Sequence, residues 1–144
     1  MNQPFEFPVK VYYEDTDAGG VVYYANYLRF IERARSEWLY SLGFEHRKLA
    51  EEREAGFIVR NLEIAYKAPA RLDDRLVVKT SPVSVRRVGM LLLQEVAFRE
   101  SGALAVSAKV DMAFVNAKSL RPGKIPADVL EAIQAWLPTE DTTQ

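Results

Sequence analysis

The chain has no cysteine and a single histidine among its 144 residues. The first absence excludes disulfides, thiolate metal sites and a cysteine nucleophile, and it fits a reducing compartment. The second leaves His46 without a companion imidazole at ligand spacing, so no metal site is expected. His46 follows a helix stop in a charged segment, where a surface position is expected rather than a catalytic one. Charge of one sign is also missing, with 19 Lys and Arg against 20 Asp and Glu. A general nucleic-acid binder needs a basic excess, so that class is set aside. No apolar stretch is long enough to span a bilayer, and the opening Met-Asn-Gln-Pro-Phe-Glu-Phe lacks the basic region and apolar run of a secretory signal. A cytoplasmic protein without membrane insertion is expected. The 49% of hydrophobic residues is ordinary for a globular chain and argues against disorder. The length suits one domain, read as residues 1–138, with a loose polar tail at 139–144.

Alternation of Phe, Val and Tyr predicts a strand from Phe5 to Glu14, closed by the tight polar loop Asp15-Thr-Asp-Ala-Gly-Gly20. From about Asn26 to Leu42 apolar residues recur at helical spacing (Tyr27, Leu28, Phe30, Ile31, Ala34, Trp38, Leu39, Leu42), and Gly43 is the natural stop. A short charged helix is expected over His46–Glu54. Four strands follow near Phe57–Ala68, Arg75–Val85, Gly89–Glu100 and Ala103–Val115, with turn-rich links that suit antiparallel neighbours. A closing helix is expected from Pro126 to Leu137. Trp38 and Trp136 lie on apolar helical faces and read as core or interface residues. One strand, one long helix and four strands pack most simply as an α+β sandwich, a five-stranded antiparallel sheet wrapped around the central helix. Such a sheet has two free edges, so pairing with a second copy is expected.

The segment that carries chemistry runs from Val11 to Arg35. It sets the carboxylates Glu14, Asp15 and Asp17 beside Gly19, Gly20 and a helix N-terminus. Unpaired N–H groups of a first helical turn can polarise a carbonyl oxygen, and a nearby carboxylate can attack the polarised carbon or deprotonate water. The same parts serve elsewhere as turns and caps, so the pattern alone leaves both readings open.

Glu14-Asp-Thr-Asp-Ala-Gly-Gly-Val-Val-Tyr23, followed by Ala-Asn-Tyr and Glu-Arg-Ala-Arg, resembles the signature of the hotdog-fold thioesterases. It is closest to the Tol-Pal-associated acyl-CoA thioesterase branch and similar to the 4-hydroxybenzoyl-CoA thioesterases. The likeness continues through Val59-Arg60, the segment from Tyr66 to Asp74 and the Arg86-Arg87 turn, to about Pro122. It implies a hotdog fold and hydrolysis of acyl-CoA to free acid and CoA, with no metal or redox cofactor. It further implies a homodimer or homotetramer with sites near subunit interfaces.

Carried over by position, the catalytic aspartate falls on Asp17, leaving Glu14 and Asp15 as turn formers or orienting groups. The helix start falls on Tyr23, Tyr24 and Ala25, with the Tyr24 N–H the best candidate to hold the thioester oxygen. The Tol-Pal-associated branch usually has His where this chain has Tyr24, whereas the 4-hydroxybenzoyl-CoA enzymes have Tyr. An aromatic acyl group stacked on that ring and a tyrosine filling the helix–sheet seam are both open readings. Arg86 and Arg87 match paired arginines that contact the CoA phosphates in the latter group, a role suited to guanidinium forks. Lys118, Arg121 and Lys124 form a second basic cluster. Glu32 is the helix glutamate that another hotdog branch uses for catalysis, but Arg33 or Arg35 is expected to pair with it. Hotdog hydratases typically need a histidine beside an acid, which this loop lacks. An acyl-CoA-binding scaffold without turnover is the alternative from another class.

Overall fold

The computed structural model describes residues 3–138. The tail expected at 139–144 lies outside them. The elements are β1 (Phe5–Lys10), α1 (Tyr27–Ser41), α2 (His46–Arg53), β2 (Ala55–Tyr66), β3 (Arg75–Arg86), β4 (Gly89–Phe98), β5 (Leu104–Asn116) and α3 (Ala127–Gln134), with 3-10 turns at Tyr13–Asp15 and Tyr24–Asn26. Among the described residues no helix is long and apolar enough to cross a membrane.

The antiparallel sheet has the order β1-β3-β4-β5-β2 and wraps α1, as the alternation and helical periodicity predict. Phe5, Phe7 and Val9 turn inward from β1, and Pro8 costs no ladder bond because β1 is an edge. The strand stops at Lys10, short of the predicted Glu14. Val11 is held by the link between β2 and β3 instead, donating to Asp74 O and accepting from Asp73 N, each at 3.0 Å. Residues 67–74 also correct the expected pairing. They read as a turn between neighbours, yet β2 pairs with β5 and β3 with β1 and β4. The link therefore crosses from one edge of the sheet to the far side.

The apolar stripe of α1 is buried at Tyr27, Phe30, Ile31, Ala34, Trp38 and Leu39, while Leu28, expected on that stripe, lies at its margin and is exposed. Gly43, at φ +95°, ends the helix in the left-handed region and donates to Tyr40 O at 2.9 Å. Trp38 is fully buried and meets the half-buried Trp136 edge to face at 6.2 Å, so the segment after α3 closes over the helix. Beneath α1, the amide of buried Gln94 donates to Ile31 O (2.8 Å) and Thr80 Oγ1 (2.9 Å), fixing helix to sheet by a satisfied polar contact. At the tip of the β3–β4 hairpin, a Cβ on Gly89 would collide with the Met112 carbonyl oxygen, so only glycine fits there.

Arg53 of α2 donates to both oxygens of Asp128 at the start of α3, at 2.8 and 2.6 Å. These bonds hold the Asp128 carboxyl at about 2. The folded value lies below the unfolded one of about 3.9, so the pair stabilises the fold above roughly pH 4 and that contribution is lost as pH falls toward 2. Asp128→Asn is expected to lower the thermal midpoint at pH 6, with the gap from wild type narrowed at pH 2 and closing as pH falls through that value. A gap that is the same at both pH values would contradict the linkage.

Candidate active site

The Asp17 loop is folded on itself by backbone bonds. Asp17 N donates to Val21 O (2.9 Å), Gly20 N donates to Asp17 O (3.1 Å), and Thr16 bridges to Val22. Gly20 has φ +80°, which only glycine adopts without strain. The Gly19 N–H donates to Asp17 Oδ1 at 2.8 Å. Asp17 is exposed, and its Oδ2 has no partner among the described residues. One oxygen thus orients the carboxylate, while the other is open to substrate or water.

The loop is stitched on both sides. Val22 N donates to Ala70 O (2.8 Å) in the β2–β3 link, and Tyr23 N donates to Asp15 O (2.9 Å). The expectation of three available N–H groups at the helix start therefore narrows to two. Tyr24 and Ala25 open the 3-10 turn ahead of α1, and their N–H groups have no acceptor among the described residues. Two free donors at the positive end of a helix are suited to hold a carbonyl oxygen as it gains charge.

Beside this turn lies a mostly apolar cleft of about 260 Å³, walled by Val22, Tyr24, Tyr27, Tyr66, Ala68 and Pro69, with Lys67 the one charged residue in its lining. Tyr66 stands between two rings, with centroids 6.2 Å from Tyr24 and 5.9 Å from Tyr27, and its hydroxyl donates to Tyr24 O at 3.1 Å. Tyr27 is buried and its hydroxyl accepts from Ala70 N at 3.1 Å. Burial raises the pKa of Tyr27, and partial desolvation against the neighbouring rings raises that of the more exposed Tyr66. Both hydroxyls therefore stay protonated at neutral pH. Tyr24 is 62% exposed. It does not fill the helix–sheet seam; Tyr27 does. The one sequence signal for Tyr66 is its place in the segment from Tyr66 to Asp74, and its role as a cleft wall follows only from the link crossing beneath the loop.

The other expected residues are placed elsewhere. Glu32 makes no close ion pair with Arg33 or Arg35, though its charge acts on Arg35; its Oε2 accepts from Ser36 Oγ at 2.7 Å. His46 is half-buried rather than on the open surface, with Nε2 2.8 Å from Ser36 Oγ and its ring against Tyr40. Arg35 turns under α1 toward Gln94 Oε1 at 3.5 Å, and desolvation lowers its pKa. Arg86 is drawn to Asp111, 2.8 Å away, which also lies 3.8 Å from Arg60. Arg87 is exposed. Both arginines sit where Gly89 pairs with Ala113, seven residues along β5 from Val106, the partner of Tyr66. That is about 23 Å along the strand. Lys118 pairs with Glu54 at 3.4 Å, and Arg121 and Lys124 are exposed.

Residues 11–136 match the family model of the thioesterase-like superfamily. The chain is 42% identical over 132 residues to the acyl-CoA thioesterase YbgC of Haemophilus influenzae, covering 92% of this chain and 96% of the relative. It is also 42% identical over 126 residues to the acyl-CoA thioester hydrolase YbgC of Escherichia coli, covering 88% and 92%. The crystal structure of a probable thioesterase from Bartonella henselae superposes with a TM-score of 0.79 at 37% identity, covering 84% of this chain and 98% of that one. The sheet wrapped on α1 is the hotdog fold of these structures.

Proposed function

Since the chain belongs to the thioesterase-like superfamily, we propose that it hydrolyses acyl-CoA thioesters, with Asp17 as nucleophile or general base. The observation that carries the reading is the open Asp17 Oδ2 in a loop stitched to a helix start with two free N–H groups. The thioester oxygen accepts from the Tyr24 and Ala25 N–H groups, which makes its carbon electrophilic. Asp17 then either attacks that carbon, to be freed by water, or takes a proton from the water that attacks. CoA leaves as the thiol. No metal or redox cofactor takes part, CoA being part of the substrate, and the site of action is the cytoplasm.

The acyl group lies in the apolar cleft. Three tyrosine rings line it, a surface suited to a compact or aromatic acyl group. Thiol release from short-chain, long-chain and aromatic acyl-CoAs tests both points. Benzoyl-CoA is expected to outperform palmitoyl-CoA, and Tyr66→Ala to lower kcat/KM for benzoyl-CoA about tenfold with less effect on butyryl-CoA. No release from any substrate, with tight binding retained, would establish a scaffold instead.

The enzyme works as a homodimer or a homotetramer of such dimers. Support comes from the free β2 edge, which exposes Ile58, Val59 and Tyr66. Antiparallel pairing of two β2 strands sets the Arg86-Arg87 end of one copy beside the Tyr66 end of the other. Arg87, exposed and without an ion partner among the described residues, is then the phosphate contact for CoA bound to its neighbour.

A further inference from the structure

We infer that Asp15 and Asn26 form a clamp that sets the helix-start donors against Asp17, making Asp15 a positioning residue rather than a second catalytic acid. This rests on the thioesterase reading above. Both residues are buried although polar, each 8% exposed. Asp15 Oδ1 accepts from Asn26 Nδ2 at 2.8 Å and Oδ2 accepts from Tyr12 N at 2.9 Å. Its carbonyl accepts from Tyr23 N at 2.9 Å, and its own N–H donates to Tyr12 O at 3.0 Å. One side chain thus spans the two 3-10 turns that flank the Asp17 loop, Tyr13–Asp15 before it and Tyr24–Asn26 after it. Both carboxylate oxygens of Asp15 are occupied and turned inward, whereas Asp17 keeps one oxygen open.

The consequence is geometric. Asp17 stands two residues after Asp15, and Tyr24 and Ala25 stand immediately before Asn26. A bond between Asp15 and Asn26 therefore fixes the separation between the Asp17 carboxylate and the donors to the carbonyl oxygen. Misplacing reacting groups by about 1 Å can cost on the order of 10²-fold in rate, so loosening the clamp lowers kcat while the cleft that binds the acyl group is left in place.

Charge exchange tests this. Asn26→Asp sets two carboxylates face to face and is expected to lower kcat by on the order of 10²-fold, with KM changed less than about threefold. Adding Asp15→Asn restores a donor and an acceptor in the reversed order, since the amide introduced at position 15 can still accept from Tyr12 N while donating to the carboxylate introduced at position 26. The double variant is expected to recover most of kcat. Recovery separates positioning from general destabilisation, and the unfolding midpoints of all three proteins, with protection of the Tyr12 and Tyr23 amides from hydrogen exchange, are measured alongside. A folded Asn26→Asp variant with wild-type kcat overturns the clamp, as does a double variant that regains amide protection without regaining kcat. If the wild type releases thiol from no acyl-CoA, the thioesterase reading fails separately. Amide protection lost in Asn26→Asp and regained in the double variant would then still establish the clamp, and unchanged protection would overturn it.

Discussion

Asp17→Asn is expected to lose on the order of 10²- to 10⁴-fold in kcat for acyl-CoA hydrolysis, with the fold and substrate binding intact. The substitution is close to a pure chemical test. The amide oxygen it introduces can still accept from the Gly19 N–H, now 2.8 Å from Asp17 Oδ1, and the backbone bonds that close the loop do not involve the side chain. What changes is the open oxygen, which becomes an amide nitrogen that can neither attack a carbonyl nor accept a proton from water. Thiol release, acyl-CoA binding by calorimetry and the thermal midpoint are the three measurements. A folded variant that binds and turns over as wild type removes Asp17 from the mechanism. Single turnover in ¹⁸O-labelled water then tests the nucleophilic role. Unlabelled first product, with the label left in the Asp17 carboxylate, establishes a nucleophilic Asp17 freed by water at its own carboxyl carbon, whereas labelled product from the start fits either a general base or water attack on the acyl carbon of the anhydride.

Trp38→Ala is expected to destabilise the protein by about 3–5 kcal/mol, a fall in thermal midpoint on the order of 10 °C for a chain of this size. Trp38 is fully buried on α1 and packs edge to face on Trp136, so truncation leaves a cavity between α1 and the segment after α3. Its indole N–H has no hydrogen-bond partner among the described residues, which is itself a cost in a buried setting. Trp38→Phe removes that orphan donor and keeps most of the ring, and should lose less than half as much. Thermal unfolding followed by circular dichroism reads both. A Trp38→Ala protein that melts within about 2 °C of wild type would mean that the helix is held by other contacts.

Elements with a strong period are legible in the sequence. The alternation in the strands and the spacing from Tyr27 to Leu39 are consequences of burying one face, and burying one face is what the sheet and α1 do. Partner choice was not legible, because it depends on distance through space. The link after Tyr66 has turn-forming residues, yet β2 and β3 never pair. Glu32 stands at helical spacing from both an arginine and a serine, and only the packing decided for Ser36. Asp17 came from the resemblance, since the loop pattern by itself also describes a turn. The structure shows an oriented carboxylate with one oxygen free at Asp17, and Tyr66 as a cleft wall.

The link at residues 67–74 has a bearing on how the chain folds. It joins opposite sides of the sheet, and the Asp17 loop is bonded to it through Val22 and Ala70 while Tyr27 is bonded to it through its hydroxyl. The loop is therefore not pinned until the sheet has curled around α1. Contacts of long sequence separation are the slow ones to form. During refolding, helical signal is expected to return first and thioester hydrolysis last, so that activity reports a fully wrapped sheet rather than a merely compact chain.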